Sequence, residues 1–151
     1  MKVLVLIHVL SAIIGVGPTY FAHVLLRKNQ TLDELRSSLR VGARLEIFPK
    51  IGGTLAVLTG LLLIWLGDYG SFMQIWLFGS LIAYILIQII AVGFATPYQK
   101  KLVSWVLDPA NQKASSLPAE QLIQWVKARN YFYGASAIGL ILFIFMIVKP
   151  S

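Results

Sequence analysis

Four stretches of this chain, at roughly 3–25, 47–67, 73–96 and 131–148, each hold about 20 nearly uninterrupted apolar residues, the length a helix needs to cross a bilayer. A backbone in hydrocarbon has no water to satisfy its amides and carbonyls, so such stretches fold as helices or as closed barrels. Segments of this length are helical rather than strand-like, and the expected fold is all-α. We expect one domain, 1–151, an integral membrane four-helix bundle joined by amphipathic helical connections. The composition agrees, because 58% of the residues are hydrophobic, against about half in a soluble domain.

The net charge of +7 raises the question of a nucleic-acid partner. The positions of the basic residues answer it. Arg27, Lys28, Arg36, Arg40, Arg44 and Lys50 flank or fill the first connection, and Lys100, Lys101, Lys113, Lys127 and Arg129 the third. The second connection, Gly67-Asp68-Tyr69-Gly70-Ser71, holds no basic residue. This is the distribution of the positive-inside rule: both basic connections face the cytoplasm and both termini lie outside. The charge is thereby accounted for by topology, and no nucleic-acid partner is expected. Cysteine is absent, which excludes disulfides, thiolate metal sites and thiol catalysis. Lys2 precedes the first apolar run as in a signal peptide. The run lacks a small-x-small cleavage site and stays apolar for over 20 residues, so a retained first helix is expected.

Within the first connection, Thr31-Leu32-Asp33-Glu34 forms a capping box. It predicts an amphipathic helix with Leu32, Leu35, Leu39 and Val41 as its apolar stripe. Arg36, Arg40 and Arg44 recur every four residues on another face, suited either to anionic lipid headgroups or to plain solvation. The third connection continues the third helix past Pro97 to Leu107 and breaks at Asp108-Pro109. Pro118 then opens a helix, with Glu120 in its first turn, that runs into the fourth span. Val41-Gly42-Ala43-Arg44 and Val126-Lys127-Ala128-Arg129 each lead into a span, a weak repeat that suits two helical hairpins.

His8 and His23, the two histidines of the chain, both fall in the first span. An ionisable side chain in hydrocarbon needs a partner or a function. Fifteen residues apart, about 22 Å along a helix, they cannot share one metal or haem iron. At the depth of His8 lie Met146 and Met73, potential soft axial ligands beside an imidazole. The alternative for His8 is a hydrogen bond to a serine or threonine, and for His23 a reach to headgroups beside Arg27. Gly15 and Gly17, with Pro18, allow close approach of a flat ligand or of another helix. Lys50 either snorkels to the interface or turns inward to meet a carboxylate such as a porphyrin propionate. Tyr84 and Gln88 form a polar step expected to face the bundle interior. Hydrolysis and phosphoryl transfer are excluded by the lack of an acidic residue in any span, of a phosphate loop, and of a serine with an arranged base.

Leu6-Ile7-His8-Val9-Leu10-Ser11-Ala12, then Ala43-Arg44-Leu45-Glu46-Ile47-Phe48-Pro49-Lys50 and Leu58-Thr59-Gly60-Leu61, resemble a bacterial family of integral membrane proteins, domain of unknown function 2269. That resemblance implies the bacterial inner membrane. More distantly, the chain resembles copper resistance protein D-like domains and the J-type protoporphyrinogen oxidases, four-helix haem-binding membrane proteins. His8 matches their first-helix histidine, a metal ligand, and Lys50 falls near their second-helix basic residue. The chain lacks their later first-helix tryptophan and Pro-Arg pair. The resemblance and the isolated histidine together imply a b-type haem or porphyrin site comprising His8, Lys50, Gly15, Gly17, Met146 and His23. Its role would be electron transfer or tetrapyrrole oxidation, the work of a haem-dependent membrane oxidoreductase. The competing expectation is a non-enzymatic small permease or accessory subunit, a homo-oligomer assembled through Ala56–Gly60 or Ala135–Gly139.

Overall fold

The computed structural model describes residues 1–71 and 73–150 and, of Thr19, the backbone alone; Phe72 and Ser151, the last residue of the expected 1–151 domain, lie outside the described residues. The elements are α1 (Lys2–Leu25), α2 (Leu32–Leu45), α3 (Ile47–Leu66), α4 (Ile75–Gln88), a π-helical segment (Ile89–Ala95), α5 (Thr96–Val106), a 3-10 turn (Pro109–Asn111) and α6 (Ala119–Val148). Among the described residues there is no strand. Four helical runs are long and apolar enough to cross a membrane: Lys2–Leu25, Leu32–Leu66, Ile75–Val106 and Ala119–Val148. The second run exceeds the expected span because a single residue, Glu46, joins α2 to α3 and keeps right-handed helical angles.

Local chemistry explains the boundaries. Thr31 Oγ1 accepts the Glu34 amide at 3.2 Å and starts α2. The π-helical segment ends just before Pro97. Proline has no amide hydrogen, and its ring would strike the carbonyl four residues back, at Gly93. The wider π turn relieves that clash while the helix continues, and the Thr96 hydroxyl donates to the Ala91 carbonyl at 2.7 Å. Lys149 takes left-handed angles and closes α6.

Among the described residues, the main contacts between the long helices run in a row: α3 on α1, α1 on α6, α6 on α4. Ala83 and Ile87 of α4 meet Ala135 and Leu142 of α6 in one buried cluster. The tightest core is the one in which Leu26, Leu35, Leu39, Leu102, Val106, Trp125 and Ala128 close over one another between α1, α2, α5 and α6. Each of its leucines contributes about 1.5–3 kcal/mol by burial, and the Trp125 indole donates to the Leu26 carbonyl at 2.8 Å. Elsewhere the outer surfaces stay apolar, with Val3, Ile13, Leu61, Trp65 and Ile147 all exposed, as lipid contact requires.

Three expectations are corrected here. Val41 is exposed rather than part of the α2 stripe. Arg36 does not join Arg40 and Arg44 on an open face. It is 7% exposed, donates to the carbonyls of Asn111 at 2.7 Å and Ala114 at 3.2 Å, and pairs with Asp33 at 2.5 Å. The small residues Gly60 and Gly139 are covered within the molecule, by the His8 ring and by Tyr20 respectively.

Candidate functional site

The α1–α3 seam is built from small residues. A Cβ at Gly15 would come 2.5 Å from the Gly53 amide nitrogen, and one at Gly52 would come 2.5 Å from that of Gly15. No side chain fits there, so the two backbones touch. Two turns along, the same approach brings His8 onto α3. Its Nδ1 lies 2.9 Å from the Ala56 carbonyl oxygen and 3.1 Å from Thr59 Oγ1, and its ring lies against Gly60, where a Cβ would come 3.0 Å from Cε1.

These contacts fix the tautomer. A carbonyl only accepts, so Nδ1 carries the hydrogen and donates to Ala56. The Thr59 hydroxyl is engaged as a donor to the Leu55 carbonyl at 2.6 Å, which leaves its oxygen free to accept from His8 as well. In the neutral imidazole Nε2 then keeps its lone pair, and among the described residues that atom has no hydrogen-bond partner. An imidazole whose Nδ1–H is held by a carbonyl has its ring orientation fixed, the arrangement of a metal-ligating histidine.

His23 is turned inward against α6 rather than out beside Arg27. Its ring stacks on Tyr133 at 4.3 Å and 9°, and Nε2 lies 2.8 Å from Ser136 Oγ. Tyr20 donates to the Ser136 carbonyl at 3.3 Å. His23 Nδ1 is buried and unpartnered, at a cost of about 1–3 kcal/mol for such a group.

The remaining expected site residues are dispersed. Lys50 extends outward, its side chain 76% exposed and Nζ 3.7 Å from Glu46 Oε2. It precedes Thr59 by nine residues, about 14 Å of helix. Met146 packs beside the α4–α6 cluster, an interface apart from the one that holds His8, and Met73 is exposed. Gly15 is spent on helix contact, whereas a Cβ at Gly17 would meet nothing within 4 Å. Tyr84 packs against the α4–α6 cluster, while Gln88 is exposed instead of facing inward. Among the described residues no group of three or more His, Cys, Asp or Glu converges to hold a metal ion. Thr59 is the serine or threonine partner expected as the alternative for His8, though its position was not foreseen, whereas Ser136 and Tyr133 as partners of His23 were missed. A hydroxyl in an apolar span is the signal that could have found Ser136.

No curated protein and no solved structure matches the chain. The family model described as "Predicted integral membrane protein (DUF2269)" matches residues 2–150, nearly the whole chain. Four membrane-length helices with lipid-compatible outer surfaces and this match lead to one conclusion: the chain belongs to the DUF2269 family of predicted integral membrane proteins.

Proposed function

We propose that the protein binds a b-type haem or related porphyrin through His8 Nε2, in electron transfer or tetrapyrrole oxidation. The observation that carries this reading is the Nδ1–H of His8 held by the Ala56 carbonyl, with Thr59 Oγ1 as second acceptor. It leaves one oriented nitrogen lone pair without a partner among the described residues. His8 would hold the iron through Nε2. Gly15 does not fit a cradle for a flat ligand, because α3 fills it, and the exposed Lys50 and distant Met146 add no second contact at His8. A bound iron porphyrin would supply the redox chemistry. The chain's own part is to orient His8, through Thr59 and the Gly60 floor, and to exclude water with the surrounding apolar residues. Purified protein supplied with haem should give a Soret band that shifts on dithionite reduction and vanishes in His8→Ala. A full haem spectrum in the variant, or no spectrum in either protein, overturns the assignment.

A second reading, a non-enzymatic permease or accessory subunit, is favoured by a different observation: Gly15 of α1 and Gly52 of α3 serve backbone contact, and His8 bonds Thr59 as an interhelical link would. It predicts a colourless protein whose His8→Ala variant is only less stable. Under either reading we place the protein in the bacterial inner membrane with both termini outside, and Arg40 and Arg44, exposed on α2, toward anionic headgroups of the cytoplasmic leaflet.

A further inference from the structure

Among the described residues two arginines are buried, and only one of them is paired. Arg36 spends its guanidinium on Asp33 and on the carbonyls of Asn111 and Ala114. Arg129 is 6% exposed and makes no hydrogen bond, ion pair or ring contact among the described residues. Its Nε is sealed from the surface without an acceptor, whereas Nη1 and Nη2 also lack acceptors but are not sealed. The tip of the guanidinium is therefore the part an incoming group can touch.

Spacing along α6 places that tip. Trp125, Arg129 and Tyr133 follow one another every four residues and share one face. Trp125 donates to the Leu26 carbonyl and Tyr133 stacks on His23, so Arg129 stands between these two contacts, against the last turn of α1. It lies two residues before the fourth apolar run and level with the end of the first, at the edge of the hydrocarbon. Tyr133, whose ring covers His23, is itself 49% exposed, so the α1–α6 seam reaches the lipid-facing surface there.

A guanidinium is always protonated, and taking one out of water without a counter-charge is costly. None of the chain's six acidic residues supplies it. Asp33, Glu34 and Glu46 are paired with Arg36, Arg27 and Lys50. Asp108 accepts the Ala110 amide of its own turn. Glu120 precedes Arg129 by nine residues on the same helix, about 14 Å, and Asp68 follows the end of α3 remote from Glu46 and α2. The missing group comes from outside the chain. It must be anionic, offer paired oxygens to the Nη fork and reside at the edge of the hydrocarbon, as a phospholipid phosphate does.

We propose that Arg129 binds the phosphate of a phospholipid seated against the α1–α6 seam, in the leaflet next to α2 and α5. The contact is with the phosphodiester, so the site separates phospholipids from phosphate-free lipids without distinguishing headgroups. It is independent of the His8 reading.

Native mass spectrometry of the full chain in detergent tests it, with phosphatidylglycerol, phosphatidylethanolamine and monogalactosyldiacylglycerol of matched acyl chains. The wild type should retain both phospholipids about tenfold more tightly than the galactolipid, a difference of about 1.4 kcal/mol. Arg129→Met should abolish that preference, while Lys127→Met, at an exposed neighbour, should keep it. Thermal unfolding supplies a sign that a merely structural arginine would not give. In phospholipid-free detergent Arg129→Met should unfold at a higher temperature than the wild type, because an unpaired buried charge is gone. Added phosphatidylglycerol should then raise the wild type alone. Arg129→Gln gives the same reading of lipid preference should Arg129→Met fail to fold. Stabilisation by soluble glycerophosphate equal to that by the lipid would support the phosphate chemistry and identify its source as the free anion. Equal retention of the three lipids by the wild type, or a preference unchanged in the Arg129 variants or lost equally in Lys127→Met, overturns the proposal.

Discussion

Gly15 and Gly17 stand two residues apart on α1 and have opposite surroundings. Gly15 touches the α3 backbone, and Gly17 has open space where a side chain would be. Gly15→Ala should therefore separate α1 from α3 and destabilise the protein by about 1–3 kcal/mol. Gly17→Ala should be neutral or stabilising by about 0.5–1 kcal/mol, since alanine holds a helix better. Unfolding of both variants in detergent checks the contrast, and equal effects would count against the seam. The same seam makes His8 sensitive to Gly60: Gly60→Ala should push the ring off Thr59 and, if haem binds, weaken it before stability is lost. The glycines were legible as a close-approach pair, and His8 as a residue needing a partner. Which glycine touches, and that Thr59 is the partner, depends on helix rotation. Periodicity does not encode rotation when nearly every residue of a span is apolar.

The connecting elements carry more sequence signal than the spans. The capping box and leucines of α2, and the continuation of the third helix past Pro97, were legible because polar and apolar residues alternate there with helical period. Arg36 was not, because its partners are the Asn111 and Ala114 carbonyls, and side-chain pattern says nothing of where a turn aims its backbone. Arg36→Met should free that turn, so hydrogen exchange at residues 109–116 should quicken while the spans stay protected. Trp125→Phe, which keeps the ring and removes the bond to Leu26, should cost about 1 kcal/mol. A loss of zero in thermal unfolding would show that the Leu26 carbonyl finds water instead.

For the molecule as a whole, the number of membrane-length helices follows from length and hydropathy alone, and so was legible. The order α3–α1–α6–α4 follows from which small residues meet, and so was not. Topology remains open to direct measurement, and the cysteine-free sequence makes it simple. In membrane vesicles of known sidedness, a single cysteine at Ser115 should label from the cytoplasmic face and one at Ser71 from the opposite face; the reverse pattern, or labelling of both from one face, would refute the proposed orientation.

The row of helices has a further consequence. α1 to α3 form one leaf and α4 to α6 another, like the covers of a book. Their spine is the contact of Tyr20 and Val16 with Gly139, and the leucine and tryptophan core clasps them at one end. Each leaf already pairs its own two long helices, so a chain cut in the second connection should give two fragments that insert separately. Co-expressed, they should find each other and copurify, whereas fragments cut between α1 and α3 should not.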